Sequence, residues 1–132
     1  MAMRVAECQC GAVTVWCEGE PVRVSVCHCL NCKRRSGSAF AVQARWPEAD
    51  VVVRGETREW VRVNETGSRA TFRFCPNCGS GIAYVIDAIP GMVAVPVGAF
   101  ADPEFAPVPE YSVYEGRMWP WIEIKGEMEH WD

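Results

Sequence analysis

Seven of the eight cysteines in this chain fall into three close groups. They form two pairs, Cys8 with Cys10 and Cys75 with Cys78, and one triplet, Cys27, Cys29 and Cys32. Structural zinc sites take four protein ligands, whereas catalytic zinc sites take three and leave one position for water or substrate. The two pairs together supply four thiolates and the triplet supplies three. The pattern therefore predicts two zinc ions per chain, one structural and one catalytic.

Disulfide bonds are the alternative use for these cysteines. The first residues, 1–8, contain no apolar signal-peptide segment, and no stretch approaches the roughly 20 apolar residues of a membrane helix. We therefore expect a cytoplasmic protein with no membrane partner, and the cytosol keeps thiols reduced. Cys8 and Cys10 are also too close in sequence for an easy disulfide. These points favour metal binding.

The second pair has the form of a zinc knuckle. Cys75 and Cys78 lie three positions apart at an expected turn, where Pro76 bends the chain and Gly79 frees the backbone that follows. A knuckle supplies half of a four-ligand site. We expect the pair at 8–10 to supply the other half, so that zinc would join the beginning of the chain to its second half.

The triplet should combine a strand with a short helix. Residues 22–27 alternate as a strand does, which sends Cys27 and Cys29 to one face and His28 to the other. Cys32 can return to the same metal from the first turn of a helix. His28 is interpreted as a structural residue that donates a hydrogen bond to a backbone carbonyl.

Two interpretations of Cys17 stay open. It could be a small buried hydrophobic residue, which is the usual fate of a free cysteine. It could also be the fourth ligand of the triplet, which would close that site and make it structural.

The charge of the chain limits its partners. A net charge of −4 and an isoelectric point near 5.2 argue against a general nucleic-acid-binding protein, which would present a strongly basic face. Lys33, Arg34 and Arg35 are a local exception beside Cys32. They could offset the negative charge of three thiolates or bind the carboxylates of a small substrate. The alternative is a solvated surface cluster.

Eighteen valines and one leucine favour sheet over helix. Apolar and polar residues alternate at 13–16, 22–26, 60–63, 71–74 and 92–95, with short helical turns expected at 29–36 and 47–50 and an extended connection at 101–109. Most of the six tryptophans are expected to pack in the core or on a sheet. For Trp119 and Trp121 the alternative is an apolar wall beside a pocket, and packing is the interpretation preferred. The predicted fold is all-β, with antiparallel sheets stabilised by zinc, in a single domain over residues 1–132.

The motifs together resemble a known family. In order they are Cys-x-Cys-Gly, then Cys-His-Cys-x-x-Cys followed by basic residues, then Phe-Cys-x-x-Cys-Gly. This set is similar to the glutathione-dependent formaldehyde-activating enzyme (GFA) family, which also includes centromere protein V. The resemblance covers roughly residues 4–131 and rests on seven cysteines that match in order and spacing.

The resemblance implies a fold of coiled antiparallel sheets with two zinc sites. By motif position, the structural ion would be held by Cys8, Cys10, Cys75 and Cys78, and the catalytic ion by Cys27, Cys29 and Cys32. The activity of the family joins glutathione and formaldehyde into S-(hydroxymethyl)glutathione, and the reverse reaction is that of a carbon–sulfur lyase.

The resulting hypothesis is a zinc-dependent carbon–sulfur lyase whose partners are a small-molecule thiol, with glutathione the leading candidate, and a small aldehyde. Arg34 and Arg35 would hold substrate carboxylates. Two alternatives are a non-catalytic zinc-binding module and a protein that carries the thiol without accelerating any reaction. The sequence indicates no particular oligomeric state.

Overall fold

The computed structural model describes residues 2–132 and is built mainly from β-strands. The strands are β1 (Met3–Glu7), β2 (Thr14–Glu18), β3 (Arg23–Cys27), β4 (Ala41–Pro47), β5 (Val51–Arg54), β6 (Arg58–Val63), β7 (Arg69–Phe74), β8 (Gly81–Ile86), β9 (Met92–Pro96), β10 (Tyr111–Val113) and β11 (Glu129–His130). The α-helix α1 spans Leu30–Ser36, and short 3-10 turns occur at Glu48–Asp50, Val97–Ala99 and Glu115–Arg117. None of the helices within residues 2–132 has the length and apolar content that crossing a membrane requires.

The strands form two sheets. One has three strands in the order β1-β2-β5, and the other has eight in the order β11-β10-β3-β4-β9-β8-β7-β6. The predicted all-β fold with antiparallel pairing is confirmed, apart from β10, which runs parallel to β3 and β11. The chain reaches β10 through the extended segment 101–109, and a long connection of this kind permits a parallel neighbour.

Strand alternation divides the eight-stranded sheet into an apolar face and a polar face. On β4, Ala44 and Trp46 are fully buried in a core that also draws residues from the three-stranded sheet. The intervening residues Gln43 and Arg45 point to the opposite face, where they line a cleft. The Trp46 indole Nε1 donates a hydrogen bond to the Gly19 carbonyl oxygen at 3.0 Å, which satisfies its one polar atom in the core.

The five alternating segments coincide with β2, β3, β6, β7 and β9, and helical turns occur at both expected places. The prediction for the tryptophans is wrong at the C-terminal end. There Trp119, Trp121 and Trp131 are 47%, 72% and 57% exposed. The segment that carries them has almost no regular structure between residues 118 and 128, so it brings little apolar surface over their rings.

Candidate metal centres

The two cysteine pairs meet in space. The Sγ atoms of Cys8, Cys10, Cys75 and Cys78 all lie within 4.8 Å of one another. Each pair occupies a tight turn directly after a strand, β1 for the first and β7 for the second. Backbone hydrogen bonds close both turns, from the Cys8 N–H to the Val13 carbonyl at 3.0 Å and from the Cys75 N–H to the Ser80 carbonyl at 2.9 Å.

The second turn depends on a left-handed residue. Gly79 has φ 79° and donates its N–H to the Cys75 carbonyl at 2.8 Å. A side chain in that conformation is sterically unfavourable, so glycine is the residue that fits there. The turn also points polar groups at sulfur, because the Ser80 hydroxyl lies 3.2 Å from Cys78 Sγ. That contact, with backbone hydrogen bonds, lowers the pKa of Cys78 to about 5.

The sulfur spacing fits tetrahedral zinc. Zinc–sulfur bonds of about 2.3 Å give sulfur–sulfur edges of about 3.8 Å in a regular tetrahedron. Cys10 Sγ lies 3.7 Å from Cys8 Sγ and 3.7 Å from Cys75 Sγ. All eight cysteines are free thiols, so disulfides play no part in the described structure. This cluster could therefore hold a zinc ion through four thiolates.

The triplet forms a second, three-ligand cluster. Cys27 ends β3, Cys29 caps the N-terminus of α1, and Cys32 lies in the first turn of that helix, as predicted. Their Sγ atoms lie within 4.8 Å of one another, so this group too could hold a metal ion. The Cys32 N–H donates to Cys29 Sγ at 3.3 Å. The helix ends at Gly37, whose left-handed φ of 62° lets its N–H bond back to the Lys33 carbonyl.

Hydrogen bonding within the triplet favours a thiolate even without metal. Hydrogen bonding from the Cys27 and Cys32 side chains lowers the pKa of the Cys29 thiol to about 2. The pKa of Cys27 is raised, because its proton is shared with the other two sulfurs and the residue is buried. Three sulfurs thus share protons over one short stretch of chain. A divalent cation is the group that would replace those protons and complete the cluster.

The eighth cysteine lies elsewhere. Cys17 is on β2 and is fully buried in the hydrophobic core, where burial raises its pKa to about 12. It belongs to neither sulfur cluster among residues 2–132. Of the two interpretations that the sequence left open, the structure supports the buried hydrophobic residue.

His28 also stays outside both clusters of the described chain. It is fully buried, as a structural histidine would be, and burial lowers its pKa. Its hydrogen-bond partner is the Ser112 hydroxyl, 3.1 Å from Nε2, and not the backbone carbonyl that the sequence led us to expect. The reason is that β10 runs beside β3 and presents Ser112 there, a neighbour that only the folded sheet supplies.

The three basic residues of α1 diverge. The Arg35 guanidinium donates to Cys32 Sγ at 3.7 Å and lines the cleft beside the triplet. Arg34 is exposed and lines an adjoining groove. Lys33 turns away, because its ammonium group donates to the Arg117 carbonyl at 2.7 Å and lies 4.1 Å from the centre of the Trp119 ring.

The cleft beside the triplet is strongly basic. It has a volume of about 380 Å³, and all three cysteines of the triplet line it. Four arginines also line it: Arg23, Arg35, Arg45 and Arg62. An adjoining groove of about 420 Å³ shares Arg35, Arg62 and the two rings of Phe72 and Tyr84 with the cleft. No acidic side chain from residues 2–132 lines either space.

Sequence reasoning missed most of this lining. Arg23 and Ser25 alternate with Cys27 on β3, so the strand periodicity alone could have placed them on the cysteine's side of the sheet. Gln43 and Arg45 could not be placed in that way, because their position depends on the pairing of β4 with β3. Arg62 lies on β6, the strand at the far edge of the same sheet.

A solved structure shares this architecture. The chain is similar to a crystal structure of a Rhodobacter sphaeroides protein at 25% sequence identity, with a TM-score of 0.56, over 80% of this chain and 97% of the other. No curated protein matches the chain.

The sequence also matches a family model. The model describes the glutathione-dependent formaldehyde-activating enzyme and matches residues 3–117, a range that contains both cysteine clusters. This match covers most of the chain and agrees with the resemblance seen in the order and spacing of the cysteines. The chain therefore belongs to the glutathione-dependent formaldehyde-activating enzyme family.

Proposed function

We propose that this protein is a zinc-dependent carbon–sulfur lyase that makes or breaks the adduct of a thiol and a small aldehyde. The leading reaction joins glutathione and formaldehyde into S-(hydroxymethyl)glutathione. A carbon–sulfur bond forms between the thiol sulfur and the carbonyl carbon, and the thiol proton ends on the former carbonyl oxygen. Family membership supports this reaction. The observation that carries it in the structure is a cluster of three cysteines that opens onto a cleft.

The two clusters take different roles in this proposal. Four protein thiolates complete the coordination of zinc, so the cluster of Cys8, Cys10, Cys75 and Cys78 is structural. The triplet of Cys27, Cys29 and Cys32 supplies three ligands and is catalytic. Zinc bound there would supply a fourth position at which a thiol loses its proton readily. A reducing compartment such as the cytoplasm keeps the protein thiols available for both ions.

The side chains around the triplet would bind and orient the substrate. Arg35 lies beside Cys32 and faces the cleft, so it can hold a substrate carboxylate close to the sulfur cluster. Arg34 lines the adjoining groove and would bind a more distant carboxylate. Phe72 and Tyr84 form the apolar wall shared by the two spaces, which limits access of water to the reacting thiol.

The test is exchange NMR on glutathione and formaldehyde held near equilibrium, with and without the zinc-loaded protein. A catalyst speeds interconversion without shifting the equilibrium, whereas a carrier shifts the equilibrium in proportion to its own concentration. We expect faster exchange that Cys29→Ser abolishes. Cys17→Ala is the matched control, because it removes a cysteine outside both clusters.

Exchange that proceeds at the uncatalysed rate with the wild-type protein would contradict the lyase. Full activity in Cys29→Ser with both zinc ions retained would contradict the role of the triplet.

A further inference from the structure

Two arginines face each other in the middle of the eight-stranded sheet. Arg23 on β3 is directly opposite Arg45 on β4, and both line the cleft. Like charges in directly opposing positions of an antiparallel pair destabilise the sheet. The described chain forms no ion pair between either arginine and a carboxylate. Arg23 lies 4.0 Å from the centre of the Tyr111 ring, a contact that holds its side chain without supplying a negative charge. An anion bound between the two arginines would offset their repulsion.

Burial makes the absence of an internal counter-charge more costly. Arg45 is only 6% exposed, and a buried charge is destabilising unless it is paired or well hydrogen-bonded. Its Nη1 donates to the Ser25 hydroxyl at 3.3 Å, and the Tyr84 ring centre lies 5.8 Å from the guanidinium carbon. These neutral contacts hold the side chain in place but leave its charge uncompensated.

The hydrogen bonds around Ser25 also leave donors without an acceptor. Gln43 is 4% exposed, and its Nε2 donates to the Ser25 hydroxyl oxygen at 3.2 Å, as Arg45 does. With both lone pairs of that oxygen engaged, the hydroxyl proton remains to be donated. The buried Arg23 Nε, a donor, and the buried Gln43 Oε1, an acceptor, have no partner. The Arg23 Nε–H and the Ser25 hydroxyl proton are therefore the two donors that this end of the cleft offers to an anion.

Two more arginines of the cleft lie over a pair of aromatic rings, Phe72 and Tyr84, which we call the aromatic platform. The Phe72 and Tyr84 ring centres are 5.2 Å apart. Arg35 lies 4.6 Å from the Tyr84 ring centre, and Arg62 lies 5.3 Å from that of Phe72. The rings position the guanidinium groups without neutralising them. In a protein whose net charge is −4, this concentration of unpaired cations is a local feature of the cleft.

We propose that Arg23, Ser25 and Arg45 form a carboxylate-binding subsite at the β3–β4 end of the cleft. Arg45 and Ser25 donate to the carboxylate oxygens, and Arg23 supplies the second positive charge. Arg35 and Arg62 bind a second carboxylate on the aromatic platform. Resting on the proposed function, this makes Arg23, Ser25 and Arg45 the residues that position one carboxylate of the thiol substrate relative to the sulfur cluster.

The subsite can be tested without any thiol or aldehyde. The probes are glutarate, a dicarboxylate, and glutaramide, its neutral analogue, each titrated into the zinc-loaded protein while backbone amide shifts on β3 and β4 are followed by NMR. We expect glutarate to bind at least about tenfold more tightly than glutaramide, as expected for hydrogen bonds to a charged group. Equal binding of the two probes, or no binding of glutarate, would overturn the subsite.

Substitution of the arginines tests where glutarate binds. Arg23→Gln and Arg45→Gln should each weaken glutarate binding at least about tenfold. Arg23 is half-buried, so its variant serves even if the buried Arg45 variant does not fold. Arg69→Gln is the control, because Arg69 is exposed and lines neither the cleft nor the groove. Glutarate binding unchanged in Arg23→Gln, or equally weakened in Arg69→Gln, would place the anion elsewhere.

Cys29→Ser separates the subsite from the metal. Glutarate binding that persists in this variant supports the arginines, whereas binding that disappears with the triplet zinc shows that the carboxylate binds the metal and overturns the subsite. The exchange assay tests the lyase independently. Glutarate binding without catalysed exchange would support the subsite and contradict the lyase. Catalysed exchange without glutarate binding would support the lyase and contradict the subsite.

Discussion

Arg23 and Arg45 lie directly opposite each other on β3 and β4, on the face of the sheet that Cys27 also occupies. The same register places Ser25 opposite Gln43. One pair of strands therefore carries a candidate zinc ligand together with two arginines that form no ion pair with a carboxylate of the described chain. Because side chains on one face of a sheet are held at fixed spacing, these groups are positioned relative to the sulfur cluster before any substrate binds.

The two proposed zinc sites should contribute unequally to stability. Cys78→Ser should release one zinc equivalent and unfold much of the protein, because structural zinc contributes on the order of 10 kcal/mol of apparent binding free energy. That site links residues some 65 positions apart, from Cys10 to Cys75. Cys29→Ser should also release one equivalent but lower the melting temperature less, because the triplet spans only residues 27–32. Zinc content and calorimetry check both outcomes; a larger stability loss in Cys29→Ser would contradict the assignment of roles.

Cys17→Ser should destabilise the protein without changing its metal content. The substitution places a hydroxyl in the fully buried core, which costs about 1–3 kcal/mol where no hydrogen-bond partner is available. Denaturant unfolding measures the loss, and Cys17→Ala serves as the variant that removes the sulfur without adding a polar group. Release of zinc from either variant would show that Cys17 is a ligand after all.

Gly79→Ala should weaken zinc binding at the four-cysteine site. A Cβ at this position meets no atom within 4 Å, so its cost is the left-handed backbone itself, about 1–2 kcal/mol. Competition with a chromogenic chelator measures zinc affinity. Gly81→Ala is the matched control, because its Cβ also meets nothing within 4 Å and its backbone is not left-handed. Equal affinities in the two variants would rule out the conformational explanation.

The neighbouring arginines of α1 should differ in their effects on activity. Arg35→Gln should raise the KM for glutathione roughly tenfold, because it removes a charged hydrogen-bond donor from the cleft. Arg34→Gln should have a smaller effect, since Arg34 is exposed and lines only the adjoining groove. Steady-state kinetics in the exchange reaction would compare them. The reverse ranking would move the substrate carboxylates into the groove.

Acid sensitivity should depend in part on Glu115. His130 Nδ1 donates a hydrogen bond to Glu115 Oε2 at 2.7 Å, and this contact lowers the pKa of Glu115 below its ordinary 4.5. A lowered pKa stabilises the fold above the unfolded-state value, and that stability is lost as the pH falls through the folded-state pKa. His130→Ala should therefore reduce the loss of unfolding free energy between about pH 5 and pH 3.

The expected difference is below about 1 kcal/mol, because His130 is 57% exposed and solvent screens the pair. Glu129→Gln, an exposed neighbour with no ion pair in the described chain, is the control. Identical pH profiles for wild type and His130→Ala would show that the contact contributes nothing in solution.

Strand prediction succeeded where apolar and polar residues alternate clearly. β3 and β9 follow that rule and were located from the sequence. β4 was not, because Ala44 is small and the cleft-facing Gln43 and Arg45 are buried polar residues rather than a solvated face. Their burial results from the cleft itself, which the local sequence does not reveal. The sequence therefore predicted the strands that form the core better than the residues that line the cleft.

The all-β fold, the family and the partition of seven cysteines into groups of four and three could all be predicted from the sequence. Those properties follow from residue composition, period-two alternation and ligand spacing, which are local. The folded chain was needed to show that Cys17 belongs to the core and that Arg45 and Arg62 join Arg23 and Arg35 around the triplet. Strand register and sheet order set these contacts, and both depend on the packing of segments far apart in the chain.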